Sequence, residues 1–274
     1  MIMRQILIVL LTITVNSLLG QELFVVTDPA SNVPTGSLSV RLSNSLFKEV
    51  YEDGYNYHLM PEVTYGITKN LMVRTSVFLS DRSNSLYAEG ANIFSKYRFY
   101  SSDDLHSHFR MAAFARYSFN RADIHQEQIE IMGHNSGYET GLVITQLIKK
   151  VAISSSVSFE KALDNKPDYE FPNTQSNTAT NYTLSVGKLM YPKKYTNFKQ
   201  TNINLMLEFV GQTLNENGKT YIDLVPSIQF IFNSQARVDV AYRHELMSSM
   251  VRSAPNGVYF NLYYTFFNLK KQSN

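Results

Sequence analysis

The residues of this chain that could act chemically are charged side chains set at alternate positions within apolar stretches. The basic members are Arg41, Arg74, Lys96, Arg98, Arg110 and Arg116, and the acidic members are Glu62, Glu139, Glu160, Glu208 and Asp223. Arginine makes paired hydrogen bonds to carboxylate and phosphate groups, and opposed charges orient a dipolar solute. The expected chemistry is therefore the binding and selection of small solutes.

The two sets of charges come from different parts of the chain. The basic residues all lie before position 120, and the acidic residues lie after it, apart from Glu62. A later stretch is mixed and contains Arg237, Asp239, Arg243 and Glu245. If these side chains line one lumen, half of its wall is mainly basic and the other half acidic, which creates a transverse field. The alternative is that the charges pair across the lumen and close it.

Possible metal ligands form weaker patterns. In an extended segment Asp123, His125 and Glu127 share one face, and imidazole and carboxylate groups bind divalent metals. A solvated acidic loop explains the same residues without a ligand. His106 and His108 also share a strand face, but two histidines are an incomplete metal site. We predict no metal site and no cofactor.

A hydrolytic site has little support. Ser154, Ser156 and Ser158 alternate along one segment, but none stands in a G-x-S-x-G setting. A serine nucleophile also needs a base within hydrogen-bond reach. The alternation is better explained by small residues that face inward. We therefore predict that the protein is not an enzyme.

Strands must position these side chains, because the dominant pattern from residue 36 onward has a period of two. In 222–232 apolar residues alternate with Asp223, Ser227 and Gln229. About twelve segments have this pattern, each near or above the ~9–11 residues that a tilted strand needs to cross a bilayer. The expected segments are 36–47, 55–66, 71–80, 88–100, 108–120, 137–147, 151–162, 180–190, 201–212, 220–232, 236–247 and 257–267.

The connections between these segments give independent evidence. Short ones at 68–70, 149–150 and 233–235 alternate with long ones such as 121–136. Outer-membrane barrels have short periplasmic turns and longer outer loops in the same way. A soluble sandwich is expected to have shorter strands and a polar outward face. We predict an all-β fold, a closed antiparallel transmembrane β-barrel of about twelve strands over 36–267.

Composition limits the other classes of protein. The 274 residues are 44% hydrophobic, 13% aromatic and 18% charged, and contain no cysteine. Such a chain buries enough apolar surface to exclude disorder, and it has neither disulfides nor thiolate metal sites. A formal net charge of +2 gives no support for nucleic-acid binding. The lipid bilayer is the main expected partner.

The first twenty residues predict export. Arg4 precedes an apolar run of about ten residues that ends near Gly20, which is the pattern of a cleaved signal peptide over 1–20. A short membrane anchor is the alternative, but the run is too short to span a bilayer. We assign 21–35 to an N-terminal periplasmic segment and 268–274 to a C-terminal tail.

Several stretches carry a family resemblance. They are PEVTYGITKNL at 61–71, SKYRF at 95–99, VPSIQF at 225–230 and YYTFF at 263–267. The chain resembles the porin-like outer-membrane barrels of Gram-negative bacteria and, more loosely, the transporter-type barrels named after the meta pathway of phenol degradation. The resemblance implies an outer-membrane location. It also implies that Phe266 or Phe267 serves as the terminal aromatic signal for the outer-membrane assembly machinery.

The leading functional prediction is a porin-like channel or transporter for passive passage of small polar or charged solutes. Barrels of eight strands are filled by their own side chains, and those of sixteen to eighteen leave an aqueous channel. About twelve strands lie between these cases. A structural or partner-binding barrel with a plugged lumen is the alternative, and an outer-membrane hydrolase is a second alternative.

Overall fold

The structure, a computed structural model, describes residues 24–50, 54–81, 85–104, 107–165, 169–193 and 199–267. These residues form twelve β-strands. In chain order they are β1 (Leu38–Lys48), β2 (Tyr55–Gly66), β3 (Leu71–Ser80), β4 (Tyr87–Asp103), β5 (Ser107–Asn120), β6 (Ser136–Ile148), β7 (Val151–Leu163), β8 (Thr178–Tyr191), β9 (Asn202–Leu214), β10 (Thr220–Phe232), β11 (Ala236–Ser248) and β12 (Asn256–Phe266). In this part of the chain, no helix has the length and apolar character needed to cross a membrane.

The strands close into one antiparallel barrel, in which each strand pairs with its neighbours in the chain and β12 returns to β1. In the closing pair Leu38 lies opposite Phe266, and Lys48 lies opposite Asn256. The predicted closed barrel is confirmed. The largest difference in strand boundaries is at β4, which ends at Asp103 rather than at residue 100.

The exterior of the barrel is apolar because the strands alternate. In β12 Val258, Phe260 and Leu262 are exposed by 43%, 44% and 40%, whereas the inward Asn261 is fully buried. Such a surface is unfavourable in water and fits the hydrocarbon of a bilayer. Exposed aromatic residues near strand ends, suited to the membrane interfaces, are Tyr55, Tyr97, Tyr117, Tyr138, Tyr191, Phe232 and Phe266.

The barrel has two distinct ends. At the short-turn end, Asn233 and Ser234 have φ values of 52° and 55°, and the amide of Gln235 donates to the carbonyl oxygen of Phe232 at 3.0 Å. This is type I′ geometry, which favours Asn at its first position and matches the twist of a hairpin. The long-loop end carries the longer connections, including 121–135. In outer-membrane barrels the short-turn end faces the periplasm.

Two stretches of chain outside the strands occupy the lumen. The N-terminal segment, 24–35, enters from the short-turn end and buries Phe24 and Ala30. The inserted loop, 121–135 between β5 and β6, enters from the long-loop end and buries Ile129. Apolar packing in this molecule therefore lies inside the lumen as well as against lipid.

The position of the N-terminal segment corrects one prediction. The sequence analysis assigned 21–35 to a periplasmic segment, but its described part lies inside the barrel. The physical reason is that Phe24 and its apolar neighbours would be exposed to water outside, and packing against the inner wall removes them from it. The predicted signal peptide, 1–20, and the predicted tail, 268–274, lie outside the described residues.

Candidate functional site in the barrel lumen

The predicted charged residues make their contacts within the lumen, except for Arg98 at its short-turn rim. Arg98 donates to the carbonyl oxygen of Lys69 at 2.7 Å. Nearby, Arg110 lies 3.0 Å from the carboxylate of Asp103 and donates to the hydroxyl of Ser31 at 3.0 Å. Arg110 thus connects the wall of the barrel to the N-terminal segment.

The N-terminal segment supplies further partners to the basic side of the wall. The carboxylate of Asp28 accepts two hydrogen bonds from Arg74, at 2.6 Å and 3.1 Å. Lys96 is fully buried and donates to the carbonyl oxygen of Pro29 at 2.6 Å. Paired, charge-assisted bonds of this kind are among the strongest in proteins. The segment therefore neutralises cations that would otherwise face the lumen.

Neighbouring strands supply the remaining partners of these cations. Glu62 lies between Arg41 and Arg74, at 3.3 Å and 3.4 Å. Arg116 lies 3.2 Å from Glu139. These charges pair along the wall between neighbouring strands, whereas the plugged alternative of the sequence analysis expected them to pair across the lumen.

An aromatic ring joins two of these arginines. Phe94 is buried, and its ring centroid lies 4.5 Å from the guanidinium carbon of Arg74 and 5.2 Å from that of Arg116. A cation over an aromatic face is attracted by the ring quadrupole. Alternation places Phe94 inward among polar residues, and this departure from the pattern was the signal that sequence reasoning overlooked.

On the acidic side, Glu208 fastens the N-terminal segment. This fully buried carboxylate accepts from the backbone amides of Val25 and Thr27, at 2.9 Å and 2.8 Å, and from the Thr27 hydroxyl at 2.8 Å. The segment has no sheet partner here, so the carboxylate satisfies amides that would otherwise be buried unpaired. Glu208 therefore acts as an anchor in this arrangement.

The inserted loop is fastened by other residues of the same side. Gln212 accepts from the amide of Ile129 at 3.0 Å and donates to the Ile129 carbonyl oxygen at 2.8 Å. Glu160 accepts from the amide of Ile131 at 3.2 Å and from the side chain of Gln212 at 3.0 Å. The predicted Glu160 thus holds the loop together with an uncharged residue that was not predicted.

Asp223 forms the centre of a network at the long-loop end. Arg243 donates to it at 2.6 Å, and Arg252 makes two bonds to it of 2.7 Å each. Arg252 also donates to the side chain of Gln128 in the inserted loop at 2.7 Å. Arg252 and Asp28 were both missed in the sequence analysis, because they lie outside the alternating strands.

A surface pair fixes the outer side of the inserted loop. Glu127 accepts from the side chain of Lys219 and from the amide of Val251. Burial alone would raise the pKa of Glu127, but the hydrogen bonds from Lys219 and Val251 and the charge of Lys219 outweigh burial and lower that pKa. The carboxylate is therefore ionised at neutral pH and holds the loop to its neighbours.

The loop residues considered as metal ligands do not converge. The Nδ1 atom of His125 lies 3.0 Å from the carbonyl oxygen of Asp123, whereas Glu127 bonds to Lys219. Across the described ranges, no group of three or more His, Asp or Glu residues is placed to hold a metal ion. His106 lies outside those ranges.

A cavity of about 260 Å³ remains between the N-terminal segment and the inserted loop. Its charged lining consists of four carboxylates and three arginines, namely Asp28, Glu130, Glu139, Glu160, Arg41, Arg116 and Arg243. Its apolar lining includes Phe94 and Phe114. Pockets for drug-sized ligands span ~300–1,000 Å³. The cavity lies just below this range, so it has room for a solute smaller than a drug. Its lining suits a solute that carries both charged and apolar groups.

Comparison with solved structures places the fold of this chain among membrane barrels. An outer membrane channel from Pseudomonas putida F1 matches with a TM-score of 0.56 at 11% identity, over 88% of this chain and 100% of that one. This chain has the fold of an outer-membrane channel. The KdgM porin matches at 9% identity and TM-score 0.49, over 83% of this chain and 99% of that one. The NanC porin matches at 7% identity with a TM-score of 0.48, over 84% of this chain and 98% of that one.

Comparison of sequences alone gives no relative. No family model matches the chain, and no curated protein matches it. The porin-like fold and the outer-membrane location expected from the sequence agree with the shared barrel and the apolar exterior. The looser resemblance to the meta-pathway barrels stays a prediction.

Proposed function

We propose that this protein is an outer-membrane channel for the passive passage of small polar or charged solutes, and that its N-terminal segment closes the lumen at rest. This function involves neither enzyme chemistry nor a cofactor. Bilayer lipid and the passing solutes are its main partners. Recognition of Phe266 or Phe267 by the assembly machinery stays a prediction.

The observation that carries this proposal is what fills the lumen. Smaller barrels are filled by side chains of their own walls, whereas this one holds a peptide. The peptide is fixed by Glu208, Arg74 and Lys96 through side-chain contacts and not by pairing with a strand. A peptide held in this way can leave, and its departure opens a lumen with polar walls.

Single-channel recording on refolded protein tests the proposal. The wild-type protein is expected to be mostly closed, and a variant that lacks 24–33 is expected to show long-lived openings. Glu216→Gln, in the exposed connection between β9 and β10, is the control and should behave as wild type. A deletion variant that inserts with full β content and remains silent would contradict the proposal.

A plugged structural or partner-binding barrel is the second candidate. It is favoured by Arg252, which ties the connection between β11 and β12 to Asp223 and, through Gln128, to the inserted loop. This network holds the inserted loop in place at the long-loop end of the lumen. Silence from both the wild type and the deletion variant would favour this role.

The hydrolase alternative has weaker support. The hydroxyl of Ser154 lies 2.9 Å from that of Thr145, and the hydroxyl of Ser158 donates to Glu139 at 2.6 Å. These contacts suit small residues that complete the inner wall. Turnover of lipid or peptide that is lost on a single serine substitution would count against the channel proposal.

A further inference from the structure

Lysines gather on one part of the short-turn end, where β6 turns into β7 and β8 leads into β9. They include Lys149, Lys150, Lys188 and Lys193. The chain that builds this part of the barrel, 140–159 and 171–207, contains neither aspartate nor glutamate before the strands move away from this end, apart from none in either stretch. At the neighbouring connection between β4 and β5, Asp103 already bonds to Arg110 and His108. This part of the short-turn end therefore carries a net positive charge.

Lys150 fixes two of these connections to each other. Its side-chain ammonium donates to the carbonyl oxygens of Pro192 and Lys193, at 2.8 Å and 2.7 Å. Its own carbonyl oxygen accepts from the amide of Leu189 at 2.9 Å. These bonds hold the turn that carries Lys149 against the connection that carries Lys193. The fold therefore keeps lysines from two separate connections side by side.

The three other lysines, Lys149, Lys188 and Lys193, are exposed, and we call them the lysine group. Lys150 is half-buried, and its ammonium is already used by the two carbonyl oxygens. In the described part of the chain, no carboxylate lies within ion-pair distance of the lysine group. Its three ammonium groups are therefore accessible to an anion outside the protein.

Lys188 faces outward, toward lipid. The outward residues that precede it on β8, Leu184 and Val186, are exposed and apolar, and so is Leu205, which lies opposite Lys188 on β9. Tyr191, at the end of β8, is exposed and suits the membrane interface. A lysine in such a position packs its stem along apolar surface and extends its ammonium to the headgroups. Lys188 is therefore placed to contact a lipid, and a partner dissolved in the periplasm would not reach it easily.

The short-turn end of an outer-membrane barrel faces the periplasm, so the lysine group lies at the headgroups of the inner leaflet. Every phospholipid headgroup contains a phosphodiester, and clusters of basic residues at a membrane surface attract lipids with net negative charge. A zwitterionic lipid brings its own cation to the site, whereas an anionic lipid does not. The charge of the lysine group and the outward position of Lys188 thus both favour an anionic phospholipid.

We infer that the lysine group is a binding site for the phosphate group of an anionic phospholipid in the leaflet at the short-turn end. The inference goes beyond the proposed channel function and does not depend on it, because the lysine group lies outside the lumen. A lipid bound there keeps the β7 and β8 side of the barrel at a fixed depth in the membrane.

Fluorescence quenching by brominated lipids tests this inference on the refolded full chain in vesicles. The chain contains no cysteine, so Leu205→Cys places a single bimane label beside Lys188, and Leu262→Cys places one on β12, away from the lysine group. The vesicles are dioleoylphosphatidylcholine with brominated phosphatidylglycerol or, for comparison, brominated phosphatidylcholine. At low salt the label at 205 should report a preference for phosphatidylglycerol of about tenfold, and the label at 262 should report almost none.

Replacing all three members of the lysine group by glutamine should remove the preference at residue 205. Replacing them by arginine should keep it, because the charge is retained. Lys69→Gln, in the exposed turn between β2 and β3, is the matched control and should behave as wild type. High salt should weaken the preference, because the site is exposed to water.

Equal quenching by the two lipids at residue 205 would overturn the inference, as would a preference of the same size at residue 262. Lysine-dependent binding of soluble poly-L-glutamate without any lipid preference would also overturn it, and would assign the lysine group to a soluble polymer. If Leu205→Cys fails to insert, native mass spectrometry of the unlabelled chain in detergent with equal amounts of the two lipids replaces quenching. Phosphatidylglycerol should then be retained in preference to phosphatidylcholine, and equal retention overturns the inference.

Discussion

The N-terminal segment and the inserted loop both fill the lumen, but they are held differently. Among the described residues the segment joins the wall only at β1, whereas the loop joins β5 at one end and β6 at the other. Glu208 and Arg74 hold the segment. The loop is held by the uncharged Gln212 as well as by Glu160 and Glu127. Charged contacts weaken when water and salt reach them, and a chain fixed at both ends moves less. We therefore expect the segment to leave the lumen on opening, whereas the loop stays in place and narrows it.

The largest effect on this comparison is expected from Glu208→Ala. The side chain accepts from the amides of Val25 and Thr27, and a buried donor that loses its acceptor costs ~1–3 kcal/mol. Hydrogen exchange of those amides should accelerate by about a hundredfold, while the Ile129 amide in the loop stays protected. Glu216→Gln should change neither region. Equal acceleration in both regions would show that the segment and the loop are released together.

The corresponding change in the attachment of the loop is Gln212→Ala. It is expected to accelerate amide exchange less strongly than Glu208→Ala and only in the loop. It removes both side-chain contacts to Ile129, and neutral hydrogen bonds contribute ~0.5–1.5 kcal/mol each. Exchange of the Ile129 amide should rise by about tenfold, with the Val25 amide unchanged. Because the loop remains fixed at both ends, channel conductance should stay close to wild type. A conductance increase as large as that of the variant lacking 24–33 would show that the loop, and not the segment, controls opening.

Alternation in the sequence predicted where Glu208 and Glu160 lie, because successive strand residues point to opposite faces. It did not predict what these residues bind. Asp28 and Arg252 lie in stretches without a period, and their partners Arg74 and Gln128 are 46 and 124 residues away. Such contacts depend on barrel closure and on the path of the inserted chain, neither of which a local pattern contains.

One sequence signal did point to the correct position of the N-terminal segment. Phe24 and two valines follow the predicted signal peptide after three intervening residues, in a stretch that the sequence analysis assigned to the periplasm. Apolar residues there have to be buried somewhere, and the lumen is the nearest surface. Their burial against Met206 explains why the segment folds back into the barrel.

A smaller, pH-dependent effect is expected at the outer side of the inserted loop. The pKa of Glu127 is lowered, since its bonds to Lys219 and Val251 outweigh burial. A group whose folded pKa lies below its unfolded value contributes its full stability above the unfolded value, ~4.3 for Glu, and loses it as the pH falls through the lower folded pKa. The loop should therefore loosen as the pH falls below about 4.

Spin-label mobility at residue 123 measures this loosening. The wild type should gain mobility in acid, and Glu127→Gln should be more mobile at neutral pH with a flatter pH profile. The N-terminal segment is held by other carboxylates, so a label at residue 26 serves as the comparison. Identical acid profiles in the wild type and Glu127→Gln would remove Glu127 from the attachment of the loop.

The smallest effect is expected from Gly187→Ala, which probes packing of the segment without altering a charge. A Cβ at this position would lie 3.1 Å from Cγ of Met206 and 3.4 Å from the ring of Phe24. The flexible Met206 side chain can adjust, so exchange of the Val25 amide should rise by less than about threefold. Gly54→Ala is the matched control, because a Cβ there meets nothing within 4 Å. An acceleration as large as that of Glu208→Ala would mean that the packing of Phe24, rather than charged contacts, holds the segment. The segment and the loop would then differ in how they pack and not in the charge of their contacts.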